Sequence, residues 1–444
     1  MAERRRSRRA RWVLLTLALV VTTAAVGAYW YVRPLLLTAT GYAAHNACAL
    51  EHIADRTDPA SDLPPNPLVP YLRTSSSDDG SVRASVLGLL AAQTAWYTEG
   101  HGCALADERP AFPAATPITD AHPLIDAPAP TSTREGVEAA IDAAFAEGLG
   151  TRAIVVVKDG ELVAERYADG FTAETPQLGW SMSKSVANLL VGRLVEENGF
   201  DIRASDLRQE WTGEHSTITA DHLMRMTAGL AWDETYDLGT PITAMLYLTE
   251  DMGDYVASQP LAHPVGDFQQ YSTGSTNLLC EVASEAVDGD ANLARELLLE
   301  PLGLPSAQWE LDASGTPVCG SYLWATPREW AAIGQFVLED GVVSGARLLP
   351  EGWVAGATEP TVADELIPTP YGAGWWLNRD VDGDVALPGF PADGFWAQGH
   401  DGQRLYIVPS EGLVVVRMGF SPGLDDTGIG SAELMTGILD SLVG

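Results

Sequence analysis

The chain has 444 residues, 46% hydrophobic and 19% charged, which is enough to bury a sizeable core. Acidic residues outnumber basic ones 60 to 26, and a formal net charge of −34 excludes the electrostatic footprint of a nucleic-acid binder. Only two of the basic residues, Lys158 and Lys184, are lysines.

Arg4, Arg5, Arg6, Arg8, Arg9 and Arg11 precede an uncharged apolar run from Trp12 to Val32. Its 21 residues suffice to span a bilayer, and Tyr29, Trp30 and Tyr31 at its end read as an interfacial belt. By the positive-inside rule the arginines stay cytoplasmic and everything after Arg33 is exported. The expectation is a single-pass cell-membrane protein with an extracytoplasmic catalytic domain. A cleaved signal peptide, cut near Val26-Gly27-Ala28, is the alternative, and the length of the run favours the anchor. The exported part keeps 19 basic and 59 acidic residues, a balance that also disfavours anionic lipid as a partner.

Cys48, Cys103, Cys280 and Cys319 all lie beyond the apolar run, where thiols tend to oxidise. Three connectivities are open, and order along the chain favours Cys48–Cys103 with Cys280–Cys319. No C-x-x-C or H-E-x-x-H spacing appears, so neither a metal nor a cofactor is expected.

Residues 41–103 read as a small helical and loop region, with an apolar-periodic stretch at 81–97. From Ala104 to Thr131 the composition turns proline- and alanine-rich, as in a linker or an extended strap. Three segments follow: 1–33 as cytoplasmic tip and anchor, 34–131 as a small N-terminal region with linker, and 132–444 as the catalytic domain. Ser132 and Glu135 are spaced as a capping box ahead of a helix whose Val137, Ala140, Ile141, Ala144 and Phe145 share a face. Asp159-Gly160 between two apolar runs predicts a β-hairpin.

Helices are predicted over 219–230 and 326–341, the latter with Thr326 and Glu329 as a capping box and Pro327 at the first position. Strands are predicted over 371–378, 394–399, 404–409 and 412–420, then a helix over 428–443. The two ends of this region are expected to build one antiparallel sheet, with the mostly helical middle packed on it and a cleft between them.

"GWSMSKSVANLL" (179–190) carries the chemistry. Ser181 and Lys184 stand one turn apart on one helix face, so the serine hydroxyl can meet the amine. Lysine serves as a base only when burial lowers its pKa, and arginine cannot serve at all. That is a reason for lysine to stand here in a chain that otherwise uses arginine. Ser181 also opens a helix, where its backbone N–H can hold an oxyanion. Ser183 and Ser185 have no lysine three residues on, and "GWSMS" fails the G-x-S-x-G elbow.

Taken with "YSTGSTNLL" (271–279) and "GHDGQRLYIVP" (399–409), the Ser-x-x-Lys element resembles the three active-site elements of the β-lactamase-related serine hydrolases. That family includes class C β-lactamases, DD-peptidases, family VIII esterases and, nearest in resemblance, 6-aminohexanoate-dimer hydrolases. The resemblance covers about residues 132–444. It implies an α/β fold of α+β type, an antiparallel sheet flanked by terminal helices plus a helical subdomain, and hydrolysis through an acyl-enzyme.

By the same resemblance Ser181 is the nucleophile, Lys184 its proton partner, and Tyr271 a shuttle to the leaving group whose pKa Lys184 would lower. Thr273 replaces the family's asparagine as a substrate contact, and His400 and Gly402 line the cleft. The Gln403 and Ser181 amides hold the oxyanion, and Tyr236 closes over substrate. Histidine at the usual lysine position removes a permanent cation, which favours a small ester or amide over a carboxylated β-lactam or D-Ala-D-Ala peptide. A DD-peptidase or β-lactamase, and a non-catalytic tethered binding module of the same fold, are the rival readings.

Overall fold

The computed structural model describes residues 2–443, with side chains described from Arg11 onward except at Ala60 and Val443. The side chains of Arg4 to Arg9 lie outside the described ones.

Helix α1 (Ala2–His52) continues without interruption through the apolar run and into the body of the protein. Its apolar window is unburied by the rest of the chain and is a candidate membrane span. Pro34 sits inside the helix, and its missing N–H falls where the helix passes from its exposed half to its buried half. From Thr38 on, the helix is mostly buried, with Ala44, Cys48 and Leu50 fully enclosed.

The helical expectation for 81–97 is overturned. The region forms a four-stranded antiparallel sheet in sequential order, β1 (Leu72–Ser76), β2 (Ser81–Val86), β3 (Leu90–Thr98) and β4 (Gly102–Leu105). Positive φ at Leu87 and Gly88 turns the chain in mid-segment, and Val82, Ala84 and Ala95 bury one face on α1. Tertiary packing therefore overrides the helix propensity of an alanine- and leucine-rich run. Cys48–Cys103 ties α1 to β4.

Residues 106–131 cross the surface without helix or strand. His122 N donates to Gly303 O at 2.8 Å, and Thr116 N donates to Asn292 Oδ1 at 3.0 Å, so this segment is a strap. Helix α2 (Glu135–Ala144) buries Val137, Ala140, Ile141 and Ala144 as its periodicity requires. Its capping box is absent, because the helix starts at Glu135 itself with Arg134 as an N-cap that makes no side-chain bond.

Strands β5 (Thr151–Lys158) and β6 (Glu161–Tyr167) turn at Asp159 and Gly160, both at positive φ as a type I′ hairpin demands. Strand 413–419 pairs antiparallel with β5, joining the two ends of the domain in one six-stranded sheet. Its order is 376–377, 395–399, 403–408, 413–419, β5, β6. Ile154, Val156 and Val415 pack beneath α2 and the helix Ser431–Val443, while Val155, Val157 and Val414 face the helical middle. Burial on both faces explains why these strands read as unbroken valine runs. Of 371–378 only Trp376–Leu377 is strand, and of 219–230 only Ala220–Met224 is helix. The Thr326–Glu329 capping box forms as predicted.

Candidate active site

Helix α3 (Met182–Asn198) starts where the sheet and the helical middle meet, with half-buried Ser181 as its N-cap. The residue before Ser181, Trp180, has φ +49, a strained conformation for a bulky residue. Rings of His400, Tyr236, Tyr322 and Tyr42 hold it, with centroids 5.6 to 6.2 Å away. Gly399 lies against this corner so closely that a Cβ there would meet Gly179 O at 2.1 Å. Ser183 and Ser185 are structural, since Ser183 Oγ accepts from Leu323 N and Ser185 Oγ donates to Gly374 O.

Lys184 is buried, and its Nζ meets three acceptors: Ser181 Oγ at 2.8 Å, Thr273 Oγ1 at 2.7 Å and Gly320 O at 2.9 Å. Burial pushes its pKa down to about 8, against an opposing pull from Glu234, whose Oε1 is 4.0 Å away. The direction of the amine lone pair then follows from the partners. Gly320 O can only accept, and Thr273 spends its hydroxyl hydrogen on Glu234 Oε1. A neutral Lys184 that keeps both contacts can therefore aim its lone pair only at Ser181.

Tyr271 lies over the same amine, its ring 4.8 Å from Lys184 Nζ, stacked on Trp376 and edge-on to Tyr371. Its phenol is pushed up by burial and by Glu234, with the Ser181 hydroxyl working in the opposite direction. The expectation that Lys184 lowers it is not met. A neutral phenol here is suited to donate a proton rather than to remove one.

The remaining expected residues divide. Tyr236 and His400 come together as stacked rings 4.5 Å apart beside Trp180. Thr273 is fully enclosed, its hydroxyl engaged by Lys184 and Glu234, so it positions the lysine instead of touching substrate. Gly402, at φ +89, turns away from the cleft: a Cβ would meet Arg417 Nη1 at 2.5 Å, so its small size serves the Arg417 packing. Gln403 is buried opposite Gly399 in the strand pairing, and its side chain clamps Gly419 through bonds of 2.6 and 2.9 Å.

Glu234 was not singled out by sequence. It accepts from Trp232 Nε1 at 2.6 Å and from Thr273 N at 2.9 Å as well as from the Thr273 hydroxyl. Its position two residues before Tyr236 in "WDETY" was the available signal. Cys280–Cys319 joins the helix Thr273–Glu285 to the segment that presents Gly320, so it braces two of the three Lys184 acceptors.

This fold, with a serine one turn from a buried lysine and a tyrosine over both, defines a serine hydrolase scaffold. The chain belongs to the beta-lactamase family, whose match runs over residues 137–429. It is 24% identical over 337 residues to the 6-aminohexanoate-dimer hydrolase of Paenarthrobacter ureafaciens, covering 70% of this chain and 81% of that protein. Among solved structures, a putative 6-aminohexanoate-dimer hydrolase from Bacillus anthracis superposes with a TM-score of 0.59 at 21% identity, covering 73% of this chain and 91% of its own. A family VIII carboxylesterase superposes at 0.55 and 16%, covering 70% and 98%.

Proposed function

We propose that this protein cleaves a small ester or amide through an acyl-enzyme on Ser181, held at the membrane by α1 with its catalytic domain on the extracytoplasmic side. The observation that carries the reading is the buried Lys184 amine 2.8 Å from Ser181 Oγ, with Thr273 Oγ1 and Gly320 O as its other two partners. An amine with a pKa near about 8 is neutral often enough at neutral pH to take the serine proton.

In the first half-reaction Ser181 Oγ bonds to the substrate carbonyl carbon as its proton passes to Lys184. Tyr271 donates its hydroxyl proton to the departing oxygen or nitrogen, the bond to the leaving group breaks, and the Lys184 proton restores the phenol. Water then attacks the acyl carbon, its proton is taken by the same pair and passed on to Ser181 Oγ as that bond breaks, and the acid is released. The Ser181 and Gln403 backbone amides stabilise the oxyanion in both steps. Both disulfides, at Cys48–Cys103 and Cys280–Cys319, are consistent with an oxidising compartment.

The test exposes the full chain to a fluorophosphonate probe, p-nitrophenyl esters, nitrocefin and a linear amide, with Ser181→Ala as control. Labelling and ester or amide turnover that vanish in the control are expected. Absence of labelling at Ser181 refutes the reading, and preferential turnover of nitrocefin replaces it with a β-lactamase.

A further inference from the structure

A small cavity with a mainly apolar lining adjoins the Trp180 corner. Its floor is the stacked pair Tyr236 and His400, already placed beside Trp180. Its walls combine Leu238 and Tyr247 from within the family match with residues outside it: Ala39 and Tyr42 of α1, and Leu68 and Leu72 from the segment that leads into β1. The N-terminal region thus completes a pocket that residues 137–429 leave open.

The Leu72 side of this cavity lies close to the apolar run. Leu72 pairs with Val86, and Leu87 N donates to Tyr71 O at 2.8 Å, so the cavity rim and the β2–β3 turn are neighbours. That turn exposes Leu87 by 58% and Leu89 by 84%. Ala91 N donates to the Tyr29 hydroxyl at 3.2 Å, which sets the turn beside the aromatic end of the run. Thr38, also on the cavity wall, is six residues past Val32, roughly 9 Å along a helix, against a headgroup layer of about 5–7 Å.

We propose that the cavity is an acyl-chain subsite whose mouth the β2–β3 turn seats on the bilayer, so that the substrate is a membrane-resident amphiphile carrying an ester- or amide-linked fatty acyl chain. The proposal rests on the reading of Ser181 as an acyl-enzyme nucleophile and of α1 as an anchor. The acyl side is assigned because Tyr236 and His400, which line the cavity, flank Trp180 next to Ser181, whereas Tyr271, the leaving group's proton donor, packs on Tyr371 and Trp376 instead. With 59 acidic against 19 basic residues after Arg33, composition gives no grip on an anionic headgroup, and recognition falls to the chain.

The test uses the full chain in phosphatidylcholine nanodiscs with p-nitrophenyl acetate, butyrate and octanoate. Burial of the chain should raise kcat/KM by up to about fourfold per methylene. Leu68→Trp and Leu72→Trp fill the cavity from two places, and each should cut the octanoate-to-acetate ratio by about tenfold. Loss of folded protein cancels from that ratio. Val362→Trp, a larger addition at an exposed position outside the cavity, keeps the wild-type ratio. A nitroxide on Leu89→Cys should collide more with oxygen than with a water-soluble nickel chelate.

Equal kcat/KM for the three esters, or a ratio that survives both tryptophans, overturns the subsite. A Leu89 label that reports bulk water overturns the bilayer seat. Labelling of Ser181 by fluorophosphonate without a chain-length effect sinks the subsite alone, whereas no labelling sinks the hydrolase reading and the subsite with it.

Discussion

Thr273 donates its hydroxyl hydrogen to Glu234 and so meets Lys184 only as an acceptor. In the proposed mechanism this relationship lets a residue in the usual asparagine position aim the Lys184 amine. Thr273→Val removes one Lys184 acceptor and leaves Glu234 Oε1 without its donor, at a cost of about 1–3 kcal/mol in stability. We expect kcat/KM for p-nitrophenyl butyrate to fall about 10²-fold, the lower range for a displaced general base. Thr273→Ser keeps the hydroxyl and should keep most of the rate. Equal rates for the valine and serine variants would show that the hydroxyl aims nothing.

The Lys184 amine must lose its proton before it can act, so activity should rise with pH through a midpoint near about 8. Glu234 pulls that value up by favouring the ammonium form. Glu234→Gln removes the charge, keeps an acceptor for Thr273, and should move the midpoint of the kcat/KM profile to lower pH. A shift to higher pH would contradict the assignment of Lys184 as the titrating base.

Lys184→Arg retains the positive charge yet cannot supply a neutral base, because guanidinium does not deprotonate in proteins. Fluorophosphonate labelling of Ser181 and ester turnover should both drop by about 10³-fold or more. Circular dichroism should still report a folded chain. Substantial residual turnover in a folded variant would remove the lysine from the mechanism.

Much of this site was legible because the sequence spends its lysines so sparingly: Lys184 in Ser-x-x-Lys had no composition-based excuse. The hairpin at Asp159-Gly160 and the Thr326–Glu329 cap were legible because each rests on local backbone chemistry within four residues. Glu234 was not, since one carboxylate among 60 acidic residues gains meaning only when it meets Thr273, 39 positions later in the chain. Residues 81–97 misled for a related reason. Their alanine and leucine content favours helix locally, and only the α1 face that buries Val82, Ala84 and Ala95 selects strands. Gly402 carried a correct signal for a close approach, but the partner is Arg417 and not the substrate.

Cys280–Cys319 closes a loop with a sequence separation of 39 and fixes the segment that presents Gly320 to Lys184. Replacing both cysteines with serine should cost about 3–4 kcal/mol, seen as an earlier urea midpoint. Activity measured well below that midpoint should fall too, since the Gly320 carbonyl is no longer braced. A variant that loses stability and keeps full kcat would confine the bridge to a structural role.

The raised Tyr271 phenol makes a prediction that depends on the leaving group. A p-nitrophenolate is stable enough to depart without a proton, whereas an amine expelled from an amide must be protonated as the bond breaks. Tyr271→Phe keeps the ring that stacks on Trp376 and packs over Lys184, and removes only the hydroxyl. Hydrolysis of a linear amide should therefore fall by about 10²- to 10³-fold, while that of p-nitrophenyl butyrate falls by no more than about tenfold. If Tyr271 were instead the base that activates Ser181, the two substrates would lose the same factor, because that proton must leave the serine whatever is expelled. Side-by-side kcat/KM values for the two substrates in the wild type and Tyr271→Phe thus separate a proton donor from a base at this position.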